Sequence, residues 1–513
     1  MKTIFVLFDS LVRNALECYG GSAIATPHFK RFAERAVTFE NHYVGSLPCM
    51  PARRDLHTGR LNFLHRSWGA LEPFDQSFSE LLRAQGTYTH LISDHYHYWE
   101  DGGATYHNRY SSWEFIRGQE WDKWKAMVRP PIERFKQMYH PMQQPEGPND
   151  GRLQTMVNRE YMKEEADYCC PRTFKAGLEF LDTNRDADNW LLHLECFDPH
   201  EPFSAPARFR ERYPTGYTGP ILDWPRYKRN EETALEVQEL RANYAALLSM
   251  CDEYFGRLLD YMDRHCMWED TTLVLSTDHG FLLAEHDWWG KNRMPFFNEI
   301  AHIPLLIAHP AFKNQAGQRR KALTQTTDLM PTLLDLYGVR PPATAEGQSL
   351  LPLLAQDCQI REAAIYGMFG AATNITDGRY TYFRYPQDMT RQDLYEYTLM
   401  PMHLKSMFAV SDLAQAELAR GFNFTQGVPL LKVPARRNAK GQPVGHTGQG
   451  SGYEDTTTVL FDLTTDPAQL NPIRDAAVEQ RLLAKIGAIM EKNDAPPEAF
   501  LRLDLAVPHG KGI

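Results

Sequence analysis

Four short apolar runs, far apart in the chain, each lead into an acid or an imidazole, and this recurrence constrains the fold more than any other feature. Thr3–Phe8 ends on Asp9. Thr87–Ile92 is followed by Asp94, His95 and His97. Trp190–Cys196 is followed by Asp198 and His200, and Thr271–Ser276 runs into Thr277-Asp278-His279-Gly280. Short continuous apolar runs are what strands buried on both faces look like. Helical patterns lie between them. Thr26 before Pro27 signals a helix start over Pro27–Arg35. Ser77–Gln85 reads as a helix. Val237–Asp263 places Leu240, Tyr244, Leu247, Cys251, Tyr254, Leu258 and Met262 at helical spacing. Val37–Tyr43 and Ile303–Ala308 read as further strands. Strand alternating with helix predicts an α/β protein with a large, mostly parallel sheet covered by helices on both faces.

A chain of 513 residues is too long for one simple core. Tyr380–Tyr385 and Val459–Leu463 look like strands and Ala476–Lys492 like a terminal helix. Two domains are therefore expected. Residues 1–365 form the catalytic α/β unit, and residues 366–513 a smaller α/β subdomain that contributes to the pocket. Stretches 94–170 and 385–455 break the periodicity, and insertions of that size in an enzyme tend to be lids or pocket walls. Tyr98, Trp99, Tyr106, His107, Arg109 and Tyr397–His403 are the expected wall residues.

In open parallel sheets, ligands sit beyond the carboxyl ends of the strands. The strand ends named above deliver their polar groups to one rim. Taken singly, an Asp after a strand can be a helix cap, and a lone His a hydrogen-bonded structural residue. Together, two carboxylates and an imidazole suit a divalent cation. The oxygen-rich set leans toward Ca, Mg or Mn, with Zn also within its range.

The net charge of -10 argues against a general nucleic-acid binder, because phosphate backbones need a basic face. No apolar run is long enough to span a membrane. Asp9 and Arg13 interrupt the first apolar run too early for an export signal, so the expected location is the cytoplasm. The eight cysteines, at 18, 49, 169, 170, 196, 251, 266 and 358, show no paired spacing and read as reduced thiols.

One cysteine stands apart. Pro48-Cys49-Met50-Pro51-Ala52-Arg53 runs on to Leu56-His57-Thr58-Gly59-Arg60. This resembles the sulfatase signature, C-x-P-x-R followed by L-x-T-G-R. The likeness extends along the chain. It includes Phe8-Asp9-Ser10, Thr26-Pro27-His28-Phe29, Asp198-Pro199-His200-Glu201-Pro202-Phe203, Thr277-Asp278-His279-Gly280, Trp289-Gly290-Lys291, Thr327-Asp328 and Phe461-Asp462-Leu463. The resemblance implies an alkaline-phosphatase-like fold and hydrolysis of sulfate esters, on a small-molecule or sugar sulfate. It implies a maturation enzyme, as partner, that oxidises Cys49 to formylglycine.

It also implies roles. Asp9, Asp278, His279 and the modified Cys49 would hold one divalent metal. The formylglycine hydrate would attack the sulfur with one hydroxyl, and its second hydroxyl would allow release of the anion. Arg53 would hold the hydrate, Lys291 would neutralise charge on the transferred group, and His200 would serve the leaving oxygen. Two departures are visible. Ser10 stands where many sulfatases carry a second acid, which resembles the phosphonate monoester and phosphodiester hydrolase branch; that branch is the alternative reading. The segment Ser93-Asp94-His95-Tyr96-His97-Tyr98 lacks the usual lysine. Substrate contacts there fall to Asp94, for a sugar hydroxyl or a cationic group, and to His95 or His97. Oligomeric state stays open, a homo-oligomer included.

Overall fold

The computed structural model describes residues 1–147, 150–443 and 452–508. Residues 148–149 of the first insertion, 444–451 of the second and 509–513 of the C-terminal unit lie outside the described residues. The central sheet contains β1 (Lys2–Phe8), β2 (Val37–Tyr43), β3 (Tyr88–Ser93), β4 (Ser112–Phe115), β5 (Trp190–Cys196), β6 (Thr271–Thr277), β7 (Leu305–Ala308) and β8 (Arg319–Gln325). Their order is β8-β2-β7-β6-β1-β5-β3-β4. Only β7 runs antiparallel to its neighbours; every other pairing is parallel. The expected large, mostly parallel sheet is the observed one.

Side chains on a strand alternate between faces. On β1, Ile4, Val6 and Phe8 enter one hydrophobic cluster, and Phe5 and Leu7 enter another. The first cluster is closed by α1 (Pro27–Ala33), through Phe29 and Phe32. The second is closed by α2 (Cys49–Thr58) and α3 (Phe78–Ala84), through Met50, Leu56, Phe78 and Leu82. Two longer helices, α4 (Cys169–Thr183) and α5 (Ala234–Arg264), complete the first face. Both faces of β1 are thus dry, which is why its sequence reads as an unbroken apolar run. Helix α5 begins earlier than its apolar periodicity does. Thr233 accepts from the Glu236 backbone N–H, and the Glu236 side chain returns to Thr233, a capping box that fixes the start.

Every residue of α2 is buried, although five of its ten are polar or charged. That burial is tolerable because each polar side chain has at least one partner. Arg54 and, just beyond the helix, Arg60 both reach Asp75 at 2.8 Å. The Asp55 carboxylate accepts from Ser46 N–H, from the Ser46 hydroxyl at 2.9 Å and from Asn62. His57 Nδ1 meets Ser77 Oγ at 2.7 Å. Gly59, at φ 66°, ends the helix in the left-handed region that glycine adopts without strain.

Toward the C-terminus, β9 (Ala364–Gly367), β10 (Thr373–Thr376), β11 (Tyr380–Arg384) and β12 (Val459–Asp462) form an antiparallel sheet in that order. Helix α6 (Ala476–Lys492) packs Leu482, Ile486 and Met490 on Ile365, Ile375, Tyr382 and Leu460. Leu61, Phe63 and Leu64, just after α2, join that core. A second C-terminal segment docks on the same stretch: Tyr397 N–H donates to His65 O, and Leu404 N–H to Trp68 O. No helix among the described residues is long and apolar enough to cross a membrane.

Candidate active site

The strand register builds the site. Phe8 of β1 pairs with Thr277 of β6 on one side and with Cys196 of β5 on the other. The next residues, Asp9 and Asp278, therefore leave adjacent strands at the same level. Helix α2 brings Cys49 to them in its first turn. Ligand atoms of Asp9, Cys49, Asp278 and His279 all lie within 4.8 Å of one another, and all four residues are buried. Cys49 Sγ is 3.2 Å from His279 Nε2. His279 Nδ1 meets the Gly280 carbonyl at 2.9 Å, which leaves Nε2 as the nitrogen directed at the cluster.

The electrostatics of this cluster favour a cation. Burial, with the neighbouring Asp9 carboxylate, pushes Asp278 up to about 8. For Asp9, burial is outweighed by Lys291, His200 and Arg53, which hold it well below the usual carboxylate range. Burial and the Asp9 charge push the Cys49 thiol up. Two carboxylates, an imidazole and a thiol, or the oxygen that would replace it, form an oxygen-rich donor set that fits one divalent ion.

Arg53 binds this cluster together. It is 0% exposed and meets three buried carboxylates. Nε donates to Glu195 at 2.5 Å, Nη1 to Asp278 at 2.5 Å and Nη2 to Asp9 at 3.1 Å. Nη1 also donates to the Cys49 carbonyl at 3.0 Å. Its contact with residue 49 is with the backbone, so its work here is positioning. Glu195, inside β5, escaped the sequence reading. A charge within an otherwise apolar central strand was the available signal, because it needs a buried partner.

Lys291, 2% exposed, donates from Nζ to Ser10 Oγ at 2.9 Å and to Asp9 Oδ1 at 3.4 Å. Ser10 Oγ donates to Asp9 Oδ1 at 2.8 Å. Ser10 holds φ at 61°, an uncommon value for a non-glycine residue that marks a constrained turn at the strand end. His200 is buried, with Nδ1 on the Glu201 carbonyl at 2.5 Å. Burial and the Lys291 charge lower it, so the imidazole is neutral when free.

The three residues expected to touch substrate in the 93–98 segment are differently placed. Asp94 Oδ1 accepts from Phe197 N–H at 2.6 Å, and Oδ2 from Gln119 Nε2 at 3.0 Å. The same Gln119 nitrogen donates to Asp198 at 3.0 Å. Through these bonds Asp94 ties the ends of β3 and β5 together. His97 Nδ1 is held by Glu100 at 2.6 Å. His95 is fully buried with both ring nitrogens unbonded, stacked on Phe197 at 5.0 Å. Of the expected wall residues, Trp99 stacks between His107 and Phe115, and Tyr106 donates to the Gly69 carbonyl. The acids that instead gather beside His200 are Glu120 and Glu201. Glu120 gave no sequence signal, lying in the aperiodic insertion.

Comparison with known proteins shows the family. The sulfatase family model matches residues 2–339, and one described as N-sulphoglucosamine sulphohydrolase, C-terminal, matches residues 284–421. An N-acetylglucosamine-6-O-sulfatase of Bacteroides thetaiotaomicron is 25% identical over 488 residues, covering 82% of this chain and 86% of that protein. A choline-sulfatase of Rhizobium meliloti is 28% identical over 385 residues, covering 69% of this chain and 72% of that protein. The solved phosphonate monoester hydrolase of Agrobacterium radiobacter superposes with a TM-score of 0.64 at 18% identity over 96% of each chain, a likeness of fold.

Proposed function

This chain belongs to the sulfatase family and is a sulfuric ester hydrolase, and from that premise we propose that it works through formylglycine at position 49 and one divalent metal ion. The observation that carries the reading is the convergence of Cys49 with Asp9, Asp278 and His279 in one buried cluster. Asp9, Asp278, His279 and residue 49 would hold the metal, which would supply a positive centre that stabilises oxyanions. The Cys49 sulfur stands where an oxygen of hydrated formylglycine would be. That hydrate offers one hydroxyl for attack on the sulfate sulfur and a second for release, which a thiol lacks.

The chain's own groups supply the rest. Lys291, oriented by Ser10 and Asp9, has a donor left for the oxygens of the transferred group, where charge builds up. His200 is anchored through Nδ1, which leaves Nε2 for the leaving oxygen; it would give a proton there from the imidazolium form, taken up once the anionic substrate is bound. Arg53 aligns Asp9 and Asp278 and helps to keep Asp9 ionised. The C-terminal unit from residue 366 adds a wall through Lys405, whose Nζ lies 5.3 Å from the Trp68 ring and 5.2 Å from the Trp121 ring.

Cys49 is 3% exposed and Arg53 0%. A maturation enzyme that reads Cys49, Pro51 and Arg53 must therefore act before folding is complete. The substrate is a sulfated small molecule or sugar. Ser10 favours a second reading, a phosphonate monoester or phosphodiester hydrolase with the same machinery, because it lowers the negative charge near the metal. Turnover of an aryl sulfate against an aryl phosphonate monoester by matured, metal-loaded protein decides between them. A strong preference for the sulfate is expected. A phosphonate preference overturns the first reading, and activity of Cys49→Ala overturns both.

A further inference from the structure

Beside His200, two buried carboxyl groups face each other, and among the described residues neither forms an ion pair with a lysine or arginine. Glu120 is 8% exposed and Glu201 2%. Ligand atoms of Glu120, His200 and Glu201 lie within 4.8 Å of one another. Each acid has one hydroxyl donor: Tyr96 on Glu120 Oε2 at 2.9 Å, and Tyr227 on Glu201 Oε1. Glu201 Oε2 is buried and accepts no hydrogen bond. His200 Nδ1 is 3.3 Å from it, but that nitrogen donates to the Glu201 carbonyl at 2.5 Å. The charges of Lys405 and Lys291 reach Glu120 and that of Lys291 reaches Glu201, yet among the described residues no lysine or arginine forms an ion pair with either acid. The cluster lies beside the catalytic centre: His200 belongs to it, and the Cys49 thiol lies within electrostatic reach of Tyr96 and Tyr227.

A buried carboxylate without a cation is costly, and it answers by holding a proton. Burial, then the opposing Glu201, pushes Glu120 up to about 7. What the pair lacks is one positive group with N–H donors, delivered next to the leaving oxygen. We propose that the substrate's leaving group carries a primary ammonium, held between Glu120 and Glu201. The proposal rests on the sulfatase reading above and narrows its substrates to sulfate esters of amino alcohols, amino sugars with a free amine included. A quaternary ammonium fits less well, because it has no N–H for the unsatisfied Glu201 oxygen. A second metal ion would claim the His200 nitrogen that the leaving oxygen needs.

The test uses matured, metal-loaded enzyme with 2-aminoethyl sulfate, its neutral isostere propyl sulfate, and choline sulfate. The amino ester should exceed the isostere in kcat/KM by roughly 10- to 100-fold, as expected for hydrogen bonds to a charged group. Glu120→Gln and Glu201→Gln should bring that ratio close to unity. Calorimetry of 2-aminoethanol against 1-propanol gives the same comparison without turnover. Failure to cleave any sulfate ester would then overturn the functional reading, while the binding arm still judges the ammonium site. Equal handling of amino and neutral compounds, by turnover or binding, overturns the inference. So does a preference for choline sulfate, or a second tightly bound divalent ion that the Gln variants lose.

Discussion

Lys291 Nζ donates to the Ser10 hydroxyl at 2.9 Å, and through that hydroxyl the lysine is tied to Asp9. A serine at the first strand end thus acts as a relay that aims a buried cation. Ser10→Ala should lower kcat by about tenfold, the equivalent of one lost hydrogen bond. Lys291→Ala should lower it by about 10²–10³, as for loss of an oxyanion donor. Steady-state kinetics on an aryl sulfate check both. Undiminished turnover by Lys291→Ala would remove the lysine from the reaction.

Arg53 is the only arginine that bridges Asp9, Glu195 and Asp278 among the described residues. Its removal leaves Glu195 and Asp278 without a lysine or arginine ion pair and Asp9 with Lys291 alone. Arg53→Ala should cost about 3–5 kcal/mol of stability, read by urea unfolding. A cost below about 1 kcal/mol, on the scale of an exposed pair, would mean that the cluster relaxes into water.

Asp278→Asn should reduce bound divalent metal to well below one equivalent after dialysis, measured by elemental analysis of the purified protein. Full occupancy in that variant would place the ion elsewhere. Cys49→Ala, by contrast, should keep the fold and abolish turnover.

The burial of Cys49 and Arg53 predicts an order of events. Folded, unmodified protein should resist the maturation enzyme, while a peptide spanning residues 45–62 or the unfolded chain should be converted. Mass spectrometry of the Cys49 peptide distinguishes the two, and conversion of the folded protein at the peptide's rate would contradict the prediction.

Asp94 and Asp198 share the Gln119 amide and are buried together. Burial raises Asp198 to about 7, and burial with the Asp198 charge raises Asp94 well above its ordinary value. The folded state therefore binds more protons than the unfolded chain. The stability this contributes is full below the unfolded carboxyl range near pH 4 and is lost as pH rises through about 7. Asp198→Asn should gain about 1–3 kcal/mol relative to wild type between pH 5 and pH 8. Parallel stability–pH curves for the two proteins would show that the pair is not protonated.

Much of this protein was legible from residues alone. The unbroken apolar runs required strands covered on both faces, and Asp9, Asp278 and His279 followed from lying directly after them. Cys49 and Arg53 stood out because their spacing repeats a known pattern, and Lys291 and His200 followed in order. These features are local, so short windows of sequence carry them. The partners that give these residues their work are not local. Glu195 reaches Arg53 across 142 positions, and Gln119 joins Asp94 to Asp198 across 25 and 79. A sequence shows that Asp94 follows a strand end but not the Gln119 amide that meets it there. Glu120 and Glu201 became a pair only when an aperiodic insertion folded against the β5 loop. Backbone pattern sets where strands end, whereas the burial and pairing of each charge depend on distant segments packed around it, and only the tertiary structure determines those.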